Sequence, residues 1–193
     1  MKQIIFSLFI SAFLIFIGCS DNGNSIVDPV ELQTALNKNN VSAFDIGDLG
    51  ADGHQVSVSQ LIDGSNGGVI QISKTYWNGT NDITVIAKIK FRPNSFDGEP
   101  QNITATTNDE DASITFSPAL KFNKIVKLNL TFVGLDLKSM GLNKKNKVDF
   151  YYISDDGSRE LIKNHGISIN EKDGEISVKN AELHHFSRYA FAQ

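Results

Sequence analysis

The stretch Ile83–Phe91, with the sequence ITVIAKIKF, alternates between apolar and polar side chains. Thr84, Lys88 and Lys90 share one face of this stretch. The positions of the other face are all apolar: Ile83, Val85, Ala87, Ile89 and Phe91. Because successive side chains of a β-strand point to opposite sides, this period of two predicts an antiparallel strand with one buried face.

The same alternation recurs in Ile125–Phe132, IVKLNLTF, where Val126, Leu128, Leu130 and Phe132 form the apolar face. Turn-forming sequences separate the apolar runs: WNGTND, FDGEP, TNDEDAS, SDDGS and EKDG. Residues 148–162 and 167–179 each contain one such turn between two strand-like segments, which predicts two hairpins. Short strands at this spacing, without convincing helices between them, predict an all-β sandwich or barrel in a single domain over residues 55–193.

The overall composition is that of an ordinary globular protein. The chain has 193 residues, 40% of them hydrophobic and 21% charged, with a formal net charge of −4. This balance argues against wholesale disorder. The longest basic cluster is NKKNK at Asn143–Lys147, which lies between predicted strands and is interpreted as a solvated turn. Nothing resembles a basic patch, so nucleic acid is not a predicted partner.

The N-terminal sequence MKQIIFSLFISAFLIFIGCS predicts export from the cytoplasm. Lys2 precedes an apolar run of about fourteen residues that ends at Gly18. A helix that spans a bilayer needs about twenty residues, so this run is too short to be a membrane-spanning helix. The tetrapeptide FIGC resembles the lipobox of bacterial lipoproteins, with Phe16 in the place of the more usual leucine.

This resemblance implies a lipid anchor at Cys19, the only cysteine of the chain. Residues 1–18 would be removed as a signal peptide, and Cys19 would carry a thioether-linked diacylglycerol and an acylated amine, with palmitate among the chains. Two or three acyl chains hold a protein stably on a membrane. The expected location is the bacterial cell envelope, at the outer membrane, with the membrane as a partner through Cys19.

Residues 19–54 are interpreted as a tether between the lipid and the domain, because they begin with small and polar residues. DPVELQTALNK could form a short helix with Asp28 as N-cap and Pro29 at its first position, and a strand or coil is the alternative. Asp48, Asp52 and Gly53 fit part of an EF-hand-like calcium loop, but other ligand positions lack oxygen donors. A glycine-containing turn before a strand is the favoured interpretation.

The order of the motifs resembles the ZU-five type of β-sandwich, and above all exported bacterial proteins with this layout. The resemblance covers residues 67–193 and rests on four segments: GGVIQI at 67–72, IKFRPNSFDGEPQNIT at 89–104, FSPALKFNKIVKLNLTFVGLDL at 116–137 and HHFSRYAF at 184–191. It implies an antiparallel β-sandwich rather than a barrel. RPNSF stands where the animal domain usually has a proline-proline-glycine step, which departs from that domain's pattern.

The resemblance also draws attention to His185, Phe186 and Ser187. Some animal relatives cut their own chain between Phe and Ser of this triplet, with the serine attacking the phenylalanine carbonyl and the histidine withdrawing the serine proton. Neighbours on a regular strand point to opposite faces, so the imidazole would need a bulge or kink to reach Ser187. The favoured interpretation is that the triplet begins the closing strand and that Phe186 packs in the core.

Tyr76 and Trp77 in KTYWNGTND are predicted to lie at a hairpin tip, where aromatic side chains can stack on sugars or anchor a protein partner. Packing over the open end of the sandwich is the favoured interpretation, and ligand binding by Tyr76 and Trp77 is the alternative. His54, His165, His184 and His185 lack the spacings that converge on a metal, and no hydrolase or phosphate-loop motif is present. No metal or cofactor is therefore expected. The sequence favours a non-enzymatic binding or structural module for protein or glycan, with self-cleavage as the alternative.

Overall fold

Twelve β-strands form the regular structure of the residues that the computed structural model describes, which are Asp48–Leu49 and 53–193. In chain order they are β1 (Asp48–Leu49), β2 (Gln55–Ile62), β3 (Gly68–Trp77), β4 (Asp82–Phe91), β5 (Gln101–Asn108), β6 (Ser113–Ser117), β7 (Lys121–Val133), β8 (Asp149–Ile153), β9 (Arg159–Leu161), β10 (Ile167–Asn170), β11 (Glu175–His185) and β12 (Arg188–Ala192).

The strands form two antiparallel sheets. The seven-stranded sheet has the order β1-β2-β5-β6-β12-β8-β9, and the five-stranded sheet has the order β10-β11-β7-β4-β3. Buried side chains from both sheets belong to one continuous hydrophobic core. The predicted all-β, antiparallel sandwich is therefore confirmed.

The two alternating segments form adjacent strands at the centre of the five-stranded sheet. Strands β4 and β7 are paired so that Val85 lies opposite Phe132 and Ile89 lies opposite Leu128. The predicted apolar face of β4 is at most 3% exposed, and that of β7 is fully buried. Each such aliphatic side chain contributes about 1.5–3 kcal/mol when it leaves water. The period of two therefore identified the core face of both strands correctly.

Both predicted hairpins form. Strands β8 and β9 pair around the turn Ser154–Ser158, and β10 pairs with β11 around residues 171–174. In the first turn Ser154 Oγ donates to an Asp156 carboxylate oxygen at 2.5 Å. This hydrogen bond, together with one from the Ser158 N–H, lowers the pKa of Asp156 to about 2. The turn residues therefore stabilise the charged form of the aspartate.

Gly134, immediately after β7, marks a close approach between two backbones. It has a φ of +92°, a conformation in which a side chain is strained. A Cβ at this position would lie 2.2 Å from the carbonyl oxygen of Asp82, at the start of β4. Only glycine fits there without displacement of the backbone.

Several predictions fall outside the described residues. They are the signal peptide 1–18, lipidation at Cys19, the helix that would begin at Asp28, and the contribution of Asp52 to a calcium loop. A search of the described residues found no helix of sufficient length and apolar character to cross a bilayer.

Candidate functional site

The His185–Phe186–Ser187 triplet lies where the chain passes from one sheet to the other. Strand β11 ends at His185 in the five-stranded sheet, and β12 begins at Arg188 in the seven-stranded sheet. Phe186 and Ser187 make the crossing. The backbone is held on both sides, because Phe186 N–H donates to the Leu120 carbonyl at 2.6 Å and the Ser187 carbonyl accepts from Phe116 N–H at 3.1 Å.

The Phe186 side chain is 2% exposed and lies among other aromatic rings. It stacks on Phe116 with a centroid distance of 4.4 Å. Phe122 at 4.7 Å and Phe91 at 5.7 Å meet it edge to face. These three rings come from strands of both sheets, so Phe186 joins the two layers of the core. Aromatic pairs in such geometries are worth about 0.5–1.5 kcal/mol each beyond the area that they bury.

The half-buried His185 side chain packs on tyrosines. Its imidazole meets the Tyr152 ring edge to face at a centroid distance of 4.5 Å. Its backbone carbonyl accepts a hydrogen bond of 2.5 Å from the Tyr189 hydroxyl. Burial raises the pKa of Tyr189 above its ordinary value, so this hydroxyl remains a donor. Through this hydrogen bond, Tyr189 holds the backbone of the triplet at His185.

Self-cleavage would require the His185 imidazole to take a proton from Ser187. Within residues 53–193, no hydrogen bond joins this imidazole to the Ser187 hydroxyl. The contacts of the triplet are those of core packing and backbone pairing. Self-cleavage stays a prediction.

The hairpin between β3 and β4 separates the two aromatic residues that the sequence grouped as a binding pair. Tyr76 is only 5% exposed, and its hydroxyl donates to the His54 carbonyl at 3.4 Å. Trp77 is 60% exposed. The alternative that both rings contact a ligand does not hold for Tyr76, whose ring belongs to the core as the packing interpretation has it. Trp77 alone presents its indole to solvent.

A buried carboxylate fixes this hairpin to the opposite sheet. Asp109, which is 4% exposed, accepts a 2.5 Å hydrogen bond from the Asn78 side-chain amide. Its other carboxylate oxygen lies 3.1 Å from His54 Nδ1. Asn78 belongs to the β3–β4 turn of the five-stranded sheet, whereas His54 and Asp109 flank strands of the seven-stranded sheet. We call the Asn78–Asp109–His54 group the Asp109 clip.

The Asp109 clip also orders the turn itself. The Asn78 side-chain oxygen accepts hydrogen bonds from the backbone N–H groups of Thr80 at 3.0 Å and Asn81 at 2.9 Å. One asparagine thus holds the turn with its oxygen and binds Asp109 with its nitrogen. A buried carboxylate is costly unless it is paired and hydrogen-bonded, and these partners meet that requirement. Trp77, the residue before Asn78, is consequently attached to a rigid support.

Sequence reasoning did not find the Asp109 clip. Asn78 and Asp109 are 31 residues apart, and His54 and Asp109 are 55 apart. The NGT turn could have identified Asn78 as a turn-forming residue, but nothing local points to its partner. The alternation of side chains along β3 could have predicted the burial of Tyr76, since Ile70 and Ile72 lie on the same face of the strand.

The remaining histidines do not gather at a site. His165 Nδ1 lies 3.4 Å from the Asn180 side-chain nitrogen, and His184 is exposed on β11. Across the described residues, no group of three or more His, Cys, Asp or Glu side chains is arranged to hold a metal ion. The exposed Trp77 is the residue next in sequence to Asn78 of the Asp109 clip.

No family model, curated protein or solved structure matches this chain.

Proposed function

We propose that this protein is a lipid-anchored, non-enzymatic binding module of the bacterial cell envelope, which holds a glycan against Trp77. The observation that carries this proposal is an indole 60% exposed on a hairpin that the Asp109 clip fixes in place. Trp77 remains in solvent, whereas most large apolar side chains of the described residues are buried. Exposed aromatic rings on well-supported loops are typical contacts for ligands.

A rigid support increases what such a ring can contribute. Binding costs free energy whenever a loop or side chain must be ordered, so a prearranged loop keeps more of the contact energy. The Asn78 hydrogen bonds to Asp109, Thr80 and Asn81 fix the turn before any ligand arrives. Trp77 then needs to lose only its own side-chain freedom when a ligand binds.

The surroundings of Trp77 favour a glycan over a protein. A protein interface normally contains a cluster of apolar side chains at its centre. Among the described residues, the other large exposed hydrophobic side chains are Ile86 on β4 and Leu161 on β9, and Leu161 lies in the other sheet. A single exposed indole without such a cluster suits a sugar, whose C–H face stacks on the ring.

The predicted anchor gives this module its location. Acyl chains on Cys19 would hold the protein at the envelope, and residues 19–54 would separate the domain from the lipid surface. The outer membrane is the proposed membrane. The sandwich itself needs no catalytic group for this role.

Replacement of Trp77 by alanine tests the glycan site. On a glycan array probed with the full-length protein in detergent micelles, the wild type should bind a subset of glycans and Trp77→Ala should lose at least about tenfold in affinity, because the stacking surface is removed. Ile86→Ala and Leu161→Ala are matched controls, since each removes a large exposed hydrophobic side chain elsewhere. Glycan binding that survives in Trp77→Ala, or that is lost equally in all three variants, would contradict the proposal.

Replacement of Cys19 by alanine tests the anchor. Cells that express the wild-type protein should incorporate labelled palmitate into it, and the protein should partition with the membrane fraction. Cys19→Ala should do neither, because the thioether and the new amino terminus both depend on the cysteine. Ser20→Ala should behave as the wild type. Palmitate labelling that persists in Cys19→Ala would show that the acyl chain is attached to another residue, which contradicts the proposed anchor.

A further inference from the structure

A groove runs along the free edge of β10, apart from Trp77 and from the His185–Ser187 crossing. Its volume is about 420 Å³. The loop that connects β7 to β8 forms its opposite wall. The lining is apolar at Val148, Ile167 and Ile169, and polar at Ser168, Lys144 and Lys147. The two lysines belong to the NKKNK cluster, to which the proposed glycan site assigns no role.

Strand β10 lies at the edge of the five-stranded sheet and pairs with β11 alone. An edge strand offers unpaired backbone groups, and proteins commonly block such edges with an inward-pointing charge or a proline. The opposite edge of this sheet has that protection, because the half-buried Lys74 of β3 lies on the same face as Ile72 and Tyr76. Strand β10, with the sequence ISIN, has neither charge nor proline.

The lysine-rich wall is held close to this edge. The backbone N–H of Lys144 donates to Glu171 Oε1 at 2.8 Å, which ties the loop to the β10–β11 turn. Lys147 forms a 3.1 Å ion pair with Asp149. Neither Lys144 nor Lys145 forms an ion pair with any other described residue. The loop is therefore tied to the β10–β11 turn, and Lys144 brings to the groove a positive charge with no ion-pair partner among the described residues.

We propose that this groove binds an extended acidic peptide segment of a partner protein, which adds to β10 as a sixth strand of the five-stranded sheet. Strand addition supplies backbone hydrogen bonds, and alternate side chains of the incoming strand enter the groove. Apolar side chains would contact Ile167, Ile169 and Val148. Carboxylates on the alternate positions would contact Lys144 and Lys147. Because β10 has only four residues, the lysines supply part of the affinity.

The test uses synthetic octapeptides with alternating residues, labelled with fluorescein, and full-length protein in detergent micelles. A valine-glutamate peptide should bind, as followed by fluorescence anisotropy, and a valine-lysine peptide should bind at least about tenfold more weakly. N-methylation of alternate amides on the face toward β10 should abolish binding. Amide hydrogen exchange should show new protection in residues 167–170 when the acidic peptide is bound.

Variants with altered charge test whether Lys144 and Lys147 contribute to peptide binding. Lys144→Glu combined with Lys147→Gln should weaken binding of the valine-glutamate peptide about tenfold. Lys121→Gln combined with Lys124→Glu is the matched control on β7, outside the groove, and should bind as the wild type. Trp77→Ala should also bind as the wild type, which separates this site from the glycan site. Equal binding of both peptides, equal loss in both double variants, or no new protection in β10 would overturn the proposal.

Discussion

The ring of Phe186 has three phenylalanine rings within 6 Å of its centroid, at the position where the chain leaves one sheet for the other. Its neighbours in sequence have different surroundings. The His185 imidazole packs on Tyr152, and Ser187 is half-buried with its carbonyl in the pairing of β6. The three residues that look like one chemical group in the sequence therefore have three separate environments.

Truncation of Phe186 should be among the more damaging changes in the core. We expect Phe186→Ala to lower the free energy of unfolding by about 3–5 kcal/mol, since it removes a buried ring and leaves a cavity between the sheets. Urea titration followed by circular dichroism measures this change. Ser187→Ala is the neighbouring control, and it should cost less than about 1 kcal/mol. A larger loss for Ser187→Ala than for Phe186→Ala would contradict the packing role of the ring.

At the scale of elements, contacts of the connecting segments fix where the strands lie, as the strand pairing does. Asn78 and the Asp109 clip fix the β3–β4 turn, and the approach of Gly134 to Asp82 brings the end of β7 against the start of β4. Both features lie near Asp82, the first residue of β4. They set the position of Trp77 relative to the rest of the sheet.

Gly79 and Gly134 have nearly the same backbone conformation but different amounts of room for a side chain. Comparing alanine substitutions at the two positions therefore distinguishes the cost of the left-handed conformation from the cost of a steric clash. Gly79 has a φ of +94°, and a Cβ added there would meet nothing within 4 Å. Gly134 has a φ of +92°, and a Cβ added there would lie 2.2 Å from the Asp82 carbonyl oxygen. Gly79→Ala should cost about 1–2 kcal/mol for the left-handed conformation alone. Gly134→Ala should cost about 1–3 kcal/mol more, because the methyl group displaces the Asp82 backbone.

Thermal or urea unfolding of the two variants gives the comparison. Equal destabilisation would mean that β4 can move away from Gly134 without cost. The wild-type protein provides the reference for both.

At the scale of the whole molecule, the final strand is an internal part of the seven-stranded sheet. Strand β12 lies between β6 and β8 and pairs with both. Its side chains Tyr189 and Phe191 are buried in the core. A chain cut between Phe186 and Ser187 would therefore keep its last seven residues hydrogen-bonded in place, so cleavage would be invisible under native conditions.

Intact mass under denaturing conditions is the measurement that reports on such a cut. We expect a single species that includes Gln193, because the His185 ring and the Ser187 hydroxyl are not hydrogen-bonded to each other in this structure. A species that lacks residues 187–193, and that disappears in Ser187→Ala, would show self-cleavage instead.

The period of two in Ile83–Phe91 and Ile125–Phe132 was sufficient to predict strands, their buried faces and an antiparallel all-β fold. This information is local, because the direction of each side chain along a strand follows from its position in the sequence. The turn sequences likewise predicted the β8–β9 and β10–β11 hairpins, whose partners are adjacent in the chain. Cys19 and the tether remain predictions from sequence.

Only the tertiary structure decided the relations between distant segments. It placed β12 between β6 and β8, brought Asn78 to Asp109 and His54, and left the edge of β10 beside the NKKNK loop. Each of these contacts joins residues that are far apart in sequence. Local propensity and periodicity determine which face of a strand is buried, but the choice of partner strand depends on how all the buried faces pack together, and no short segment contains that information.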